Sequence, residues 1–278
     1  LLTKTQTYKI EPNLNCIEAI YSPNTGIIDW ADFGKCMLDK FRGLGGKVRF
    51  GYKVETIEEN DSIVKINSHD SRGFETEKLI SCGGLQSDRI ARMVGLVPRV
   101  KIIPFRGDYF LLDKKYNNLF NHLIYPVPNP KMPFLGIHFT KMLDGSVILG
   151  PNASVNFSRE EYKRFKLNFT DLKDYLFYSG FWKLIFNHKE FIFKEFLTSF
   201  SRHYYLKQCT KYYAGLSSNE LYPFRAGIRA QAVALDGKPI HDFLFESTDR
   251  CLFVLNAPSP AATSSIPIGK QIVENILV

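Results

Sequence analysis

After Asp29, apolar residues recur at helical spacing: Trp30, Phe33, Met37, Phe41 and Leu44 are separated by mostly polar residues. Asp29 can cap this helix, Asp32 suits its first turn, and Gly45-Gly46 stops it. The pattern then changes to alternation, which predicts a strand over Val48–Val54. Asn60-Asp61 turns the chain into a second strand, Ile63 to Ile66, and a third runs from Phe74 to Ser81 into Cys82-Gly83-Gly84. A short helix, Asp88 to Val94, ends at Gly95. Val100–Ile103, Asp108–Leu112, Leu123–Val127, Phe134–Phe139 and Ser146–Leu149 also read as strands, with Asp144-Gly145 as a hairpin turn. Ser158-Arg159-Glu160-Glu161 is a capping box and predicts a helix start. From there to Tyr213 the chain reads as helical, aromatic and basic. Gly227 to Val254 is β-rich again, turning at Asp236-Gly237. An amphipathic helix, Ser265 to Leu277, carries Ile268, Ile272, Val273 and Ile276. Strands, helices, more strands and a closing helix predict a mixed α/β fold with an inserted β-rich layer.

Composition narrows the class. Of 278 residues, 45% are hydrophobic and 23% charged, which excludes disorder, collagen and coiled coil as the main state. Five cysteines without a C-x-x-C pair argue against a disulfide framework and a zinc site, and suit a reducing compartment. No two histidines have metal-ligand spacing. The uncharged run Cys251 to Gly269 holds Pro258, Pro260 and Pro267, so no transmembrane helix is expected there. The net charge is +8, and Arg159 to Tyr213, with 11 Lys/Arg and 6 Asp/Glu, carries +5 of it. That segment raises a non-catalytic basic binding protein as one alternative; its aromatics look like helix packing surface, so no nucleic-acid partner is expected. Leu1 is not Met, and the chain is read as processed or as a fragment.

Three constellations could carry chemistry. A strand running into Cys82-Gly83-Gly84 allows close approach of a bulky ligand, although on this segment alone a plain tight turn is the favoured reading. Arg229, in Ala226-Gly227-Ile228-Arg229-Ala230-Gln231, can pair with a carboxylate of the protein or receive an anionic substrate. Leu255 to Ser265 is a loop of small residues that feeds the last helix, where backbone amides can reach an anion; tight packing of the loop is the alternative reading. No G-x-G-x-x-G, P-loop or G-x-S-x-G motif is present.

An ordered set of segments resembles the L-2-hydroxyglutarate dehydrogenase family. They are Glu11-Pro12-Asn13-Leu14, Ser22 to Asp29, Ile103 to Tyr109, Leu123 to Pro128 and Phe134 to Thr140. Asp144 to Val147, Gly150 to Ala153, Gly180-Phe181-Trp182, Ala226 to Gln231 and Asn256 to Thr263 continue the set. This family belongs to the FAD-dependent group similar to D-amino-acid and glycine oxidases. The resemblance implies a partial Rossmann-type FAD-binding domain, 1–100 with 251–278, and an antiparallel-sheet substrate domain, 101–250. Family members open with a glycine-rich strand-turn-helix and an acidic ribose ligand. This chain contains neither and reads as starting downstream of both.

For the FAD cofactor, the resemblance implies contacts from Val54, Cys82, Gly83 and Gly84, and from Pro258, Ser259, Pro260, Ala261, Ala262 and Thr263. It implies Arg229 as ligand of a dicarboxylate substrate; Arg106, Tyr109, Tyr125 and Thr140 are candidates for the second carboxylate, and His138, by default a hydrogen-bonded core histidine in its apolar strand, is the candidate base because an imidazole titrates near neutral pH. The reaction implied is oxidation of L-2-hydroxyglutarate to 2-oxoglutarate, with an FAD-dependent amino-acid oxidase as another alternative. A quinone or electron-transfer partner, a mitochondrial location and peripheral inner-membrane contact are implied in the same way.

Overall fold

The computed structural model describes residues 1–69, 71–127, 136–163, 166–258 and 261–277. Ser259 and Pro260, and residues Pro128, Phe134 and Leu135 of the family-like segments, lie outside the described residues. The fold is mixed α/β, as the pattern predicts, and divides into two compact units. The first comprises Leu1–Val48, Arg106–Ser154 and Glu190–Gly227; the second comprises Arg49–Phe105, Val155–Lys189 and Ile228–Val278. These divisions do not coincide with the expected boundaries at 100 and 250: the stretch Leu1–Val48 groups with Arg106–Ser154.

In the first unit, four antiparallel strands lie in the order Leu221–Pro223, Phe110–Leu112, Val147–Gly150, His138–Lys141. Directly opposed residues share a face. Leu149 pairs with Phe139 on one side and Phe110 on the other. Phe110, Leu112, Phe139, Val147, Leu149 and Leu221 therefore form one buried face, packed with Phe120 and Tyr205. The opposite face carries His138, Thr140, Ile148, Leu111 and Tyr222. The Asp144-Gly145 turn forms as expected, with Gly145 at φ 81°. Leu123–Val127 contributes only an isolated bridge, Ile124 with Phe139, rather than the expected strand.

In the second unit, Cys251–Asn256 pairs parallel with Leu79–Ser81 and antiparallel with Leu244–Ser247. Cys251, Phe253 and Leu255 enter one core with Ile57, Val64, Val100 and Ala232. Leu252 and Val254 point the other way, onto Ile272 of the closing helix Ser265–Leu277. Burial on both faces explains why this strand reads as one continuous apolar run.

Several expectations are corrected by long-range structure. Val48–Val54 is irregular because Gly51 sits at φ 67° and interrupts an extended ladder; the strand comes later, at Thr56–Glu59. The strand expected over Phe74–Ser81 is two strands, Ser71–Thr76 and Leu79–Ser81, in different sheets. At the capping box, Glu161 N–H does donate to Ser158 Oγ at 3.2 Å, yet among the described residues the next helix is Phe169–Leu176. Arg159 is fully buried there and its guanidinium is held by Asp88, Asp174 and the Leu85 carbonyl, contacts that a helix start would have to give up.

Candidate functional site

The first unit gathers most of the expected substrate-side residues on the non-core face of its sheet. His138 opposes Gly150 in register, and Thr140 opposes Ile148. Tyr109 lies at that same end, since a Cβ on Gly150 would come within 2.9 Å of its ring. The Tyr125 ring lies 4.6 Å from the imidazole of His138, centroid to centroid. Glycine at position 150 is thus required twice, by its φ of 135° and by the seating of Tyr109.

The electrostatics of this face suit acid–base chemistry. Gly136 carbonyl lies 3.2 Å from His138 Nδ1 and can only accept, so Nδ1 carries the hydrogen and Nε2 the lone pair. Burial pushes the imidazole below its ordinary value, outweighing the opposing effect of the Gly136 carbonyl, a shift that favours the neutral ring. Burial raises Tyr109, with Tyr125 adding to the shift, and burial raises Tyr125, so both phenols stay protonated donors.

Arg106 is placed differently. Its Nε donates to Asp108 Oδ1 at 2.8 Å, and both residues are buried. The supporting loop is hydrogen-bonded from behind. Asp108 N–H donates to Asn152 Oδ1, Asn152 Nδ2 donates to Ser199 Oγ, and the Tyr205 hydroxyl lies 2.9 Å from Leu149 carbonyl. The alternation of His138 and Thr140 could have placed those two on one face. Gly136, Gly150 and Tyr205, which orient that face, carried no local signal.

The second unit holds Arg229 and the cofactor-side segments. Arg229 is half-buried on the Gly227–Ala234 strand, and burial pulls its guanidinium down from the ordinary value. Cys82-Gly83-Gly84 and Ala257-Pro258 emerge from the carboxyl ends of two hydrogen-bonded parallel strands, Ser81 being paired with Phe253. In open parallel sheets that end is where ligands bind. Gly84 has φ 50°, and a Cβ there would meet nothing within 4 Å, so the turn faces open space. At Gly83 a Cβ would come 2.4 Å from Ile90 Cδ1, so the end of that side chain would have to shift. Ala261, Ala262 and Thr263 lead into the N-terminus of the closing helix, with Ala262 and Thr263 exposed. Val54 packs its side chain against the core of this unit. An open glycine cradle beside a small-residue loop and a helix N-terminus fits part of a flavin dinucleotide.

Comparison with known proteins agrees with this geometry. The model of the family described as FAD dependent oxidoreductase matches residues 1–275. L-2-hydroxyglutarate dehydrogenase of Salmonella houtenae is 42% identical over 275 residues, covering 99% of this chain and 65% of the relative. The protein of that name from Escherichia coli (strain K12) is 43% identical, covering 96% of this chain and 63% of the relative. A Caenorhabditis briggsae relative, named as mitochondrial, is 41% identical, covering 95% and 63%. The chain therefore spans slightly under two thirds of the length of these relatives. Among solved structures, reduced L-α-glycerophosphate oxidase from Mycoplasma pneumoniae with FAD bound matches with a TM-score of 0.72 at 18% identity, covering 100% of this chain and 64% of that one. Glycine oxidase from Geobacillus kaustophilus matches with a TM-score of 0.64 at 16% identity, covering 99% and 61%. These structural likenesses establish the fold alone. With parallel strands ending in a glycine turn, an antiparallel sheet bearing a half-buried histidine, and a family match over residues 1–275, this chain belongs to the FAD-dependent oxidoreductase family.

Proposed function

We propose that this chain carries the substrate-oxidising part of an L-2-hydroxyglutarate dehydrogenase that forms 2-oxoglutarate. The 42% identity over 99% of the chain supports the substrate assignment, and the fixed tautomer of His138 carries the chemical one. His138 Nε2 takes the proton of the C2 hydroxyl as the C2–O bond becomes a carbonyl. Bound FAD supplies the acceptor for the hydride that leaves C2 with its electron pair. Tyr109, Tyr125 and Thr140 offer hydroxyl donors on the face that bears His138, for one carboxylate of the dianion. Arg229 offers a bidentate fork suited to a carboxylate. Arg106 is better used in holding Asp108 and the loop before Tyr109 than in touching substrate.

FAD would be held by the Cys82-Gly83-Gly84 turn, the Val54 backbone, and the loop and helix start from Pro258 through Ser259, Pro260, Ala261, Ala262 and Thr263. Amides at that helix N-terminus would favour negative charge on the flavin. A quinone or an electron-transfer partner takes the electrons onward. Relatives from Caenorhabditis briggsae and Mus musculus are named as mitochondrial, which supports that location. No described helix is long and apolar enough to cross a membrane. Exposed Trp182 and Phe186, with Lys183 between them on the helix Ser179–Asn187, support peripheral contact with the inner membrane.

The test is an anaerobic titration of the purified chain loaded with FAD. L-2-hydroxyglutarate should bleach the flavin, and glutamate and glycine should not. Bleaching by either amino acid, without a response to the hydroxy acid, would replace the substrate assignment. Arg229→Met should sharply raise KM for the hydroxy acid; an unchanged KM removes Arg229 from the site.

A further inference from the structure

The second unit has an open groove of about 450 Å³ that uses none of the residues assigned to the oxidation. Its floor is an ion-pair lattice. Asp174 receives Lys101 Nζ at 2.6 Å, Arg89 Nη2 at 3.2 Å and Arg159 Nη2 at 2.9 Å. Arg89 also reaches Asp171 at 2.7 Å, and Arg159 pairs with Asp88. Three cations here face three carboxylates, so the lattice is neutral; Arg89, Lys101 and Asp174 are its members that line the groove.

The rim is not balanced. Arg92, on the helix Ser87–Met93, and Lys173, on the helix Phe169–Leu176, both line the groove. Among the described residues neither has an ion-pair partner, so together they leave two positive charges. The Thr170 hydroxyl and Phe177 complete the rim. Phe177 is 84% exposed, a large ring held in water beside those cations.

From this we infer that the groove binds a small molecule carrying a phosphate monoester and a planar ring. A phosphate monoester carries a charge of about −1.5 to −2 near neutral pH, which matches Arg92 plus Lys173. A guanidinium fork receives two phosphate oxygens, and an ammonium suits a third as a point charge. Thr170 adds a hydroxyl donor. The ring covers Phe177 in an offset or edge arrangement. The groove volume lies in the range of small-molecule sites, roughly 300–1,000 Å³. A dicarboxylate has similar charge but leaves Phe177 in water, so the ring separates this ligand class from the oxidised substrate.

Isothermal titration calorimetry of the full chain with phenyl phosphate, inorganic phosphate and 2-oxoglutarate tests this. Phenyl phosphate should bind about fivefold more tightly than inorganic phosphate. Arg92→Gln combined with Lys173→Gln should weaken both by roughly tenfold or more. Phe177→Ala should abolish the advantage of phenyl phosphate and leave inorganic phosphate unchanged. All three positions are exposed, so circular dichroism should report an intact fold. The inference is overturned by absence of saturable phenyl phosphate binding, or by binding unchanged in the double variant. It is equally overturned if 2-oxoglutarate binds as tightly with the same dependence, or if phosphatidic-acid vesicles are captured through Arg92 and Lys173. Each of these results leaves the proposed oxidation untouched, because no residue is shared.

Discussion

Replacing Arg159 by methionine probes the most deeply buried charge in the second unit. Its side chain is 0% exposed, and Asp88 opposite it is 1% exposed. Removing the guanidinium deletes two contacts to Asp88, one to Asp174 and one to the Leu85 carbonyl. Asp174 keeps Lys101 and Arg89, whereas Asp88 keeps only the Ile102 amide at 3.1 Å as a described hydrogen bond. The cost is therefore dominated by one buried carboxylate left without its cation, about 3–5 kcal/mol. With a urea m-value at the upper end for a chain of this size, the midpoint should fall by roughly 1–2 M. Equilibrium urea unfolding of the wild type, Arg159→Met and Asp88→Asn/Arg159→Met measures it. The double variant should be more stable than Arg159→Met, because neutral Asn can still accept from Ile102 without a buried charge. A loss below about 1 kcal/mol in the single variant, or a double variant that is worse than the single, would refute the account.

Other predictions concern pH and the candidate site. Burial alone would raise Asp174, but its hydrogen bond and charge pairing with Lys101, followed by Arg159 and Arg89, hold it below the usual carboxylate range. A depressed carboxylate contributes stability above its unfolded value and loses it as pH falls through the folded value. Asp174→Asn should thus lower stability at neutral pH and flatten its decline on acidification, read by thermal melts across an acid series. For His138, the imidazole should titrate by NMR below its ordinary value, and kcat/KM should rise with pH through that midpoint because the neutral ring is the base. His138→Gln should lose roughly 10²–10⁴-fold in kcat, and an unchanged profile removes it as the base. Gly84→Val forces a branched residue to φ 50° and fills the open cradle. It should cost about 1–2 kcal/mol from the backbone and, separately, reduce the rise in melting temperature that added FAD produces.

Local chemistry was legible where the partners are close in sequence. The helix Trp30–Gly43 forms as its spacing and Asp29 cap predict, with Asp29 accepting from Ala31 and Asp32 amides. Yet none of its residues is buried, so the apolar stripe defined the helix without naming what it packs on. The capping box at Ser158 shows the converse. Its local bond forms, but the helix is lost to Arg159 contacts with Asp88, 71 positions away, which no local window contains. Propensity sets what a segment can do cheaply, and a buried ion pair worth several kcal/mol overrides it.

The two cofactor-side segments show how weak local signals combine. Alone, Cys82-Gly83-Gly84 is a tight turn, and Ala257-Pro258 begins a loop of small residues. They become one feature because Cys251–Asn256 pairs parallel with Leu79–Ser81, across about 170 positions of chain, and parallel pairing puts both carboxyl ends on one side. The continuous apolar run Cys251–Leu255 was the one available sign, since a strand apolar at every position must be covered on both faces. On the first unit, alternation placed His138 with Thr140, but the Tyr125 ring against that imidazole, the register of Gly150 opposite His138, and the bare backbone of Gly150 that seats Tyr109 were not visible in it. The chemistry-bearing residues were visible as types. What joins them is strand register, and a one-residue slip of the His138–Lys141 strand would turn His138 into the core and Phe139 onto the opposite face.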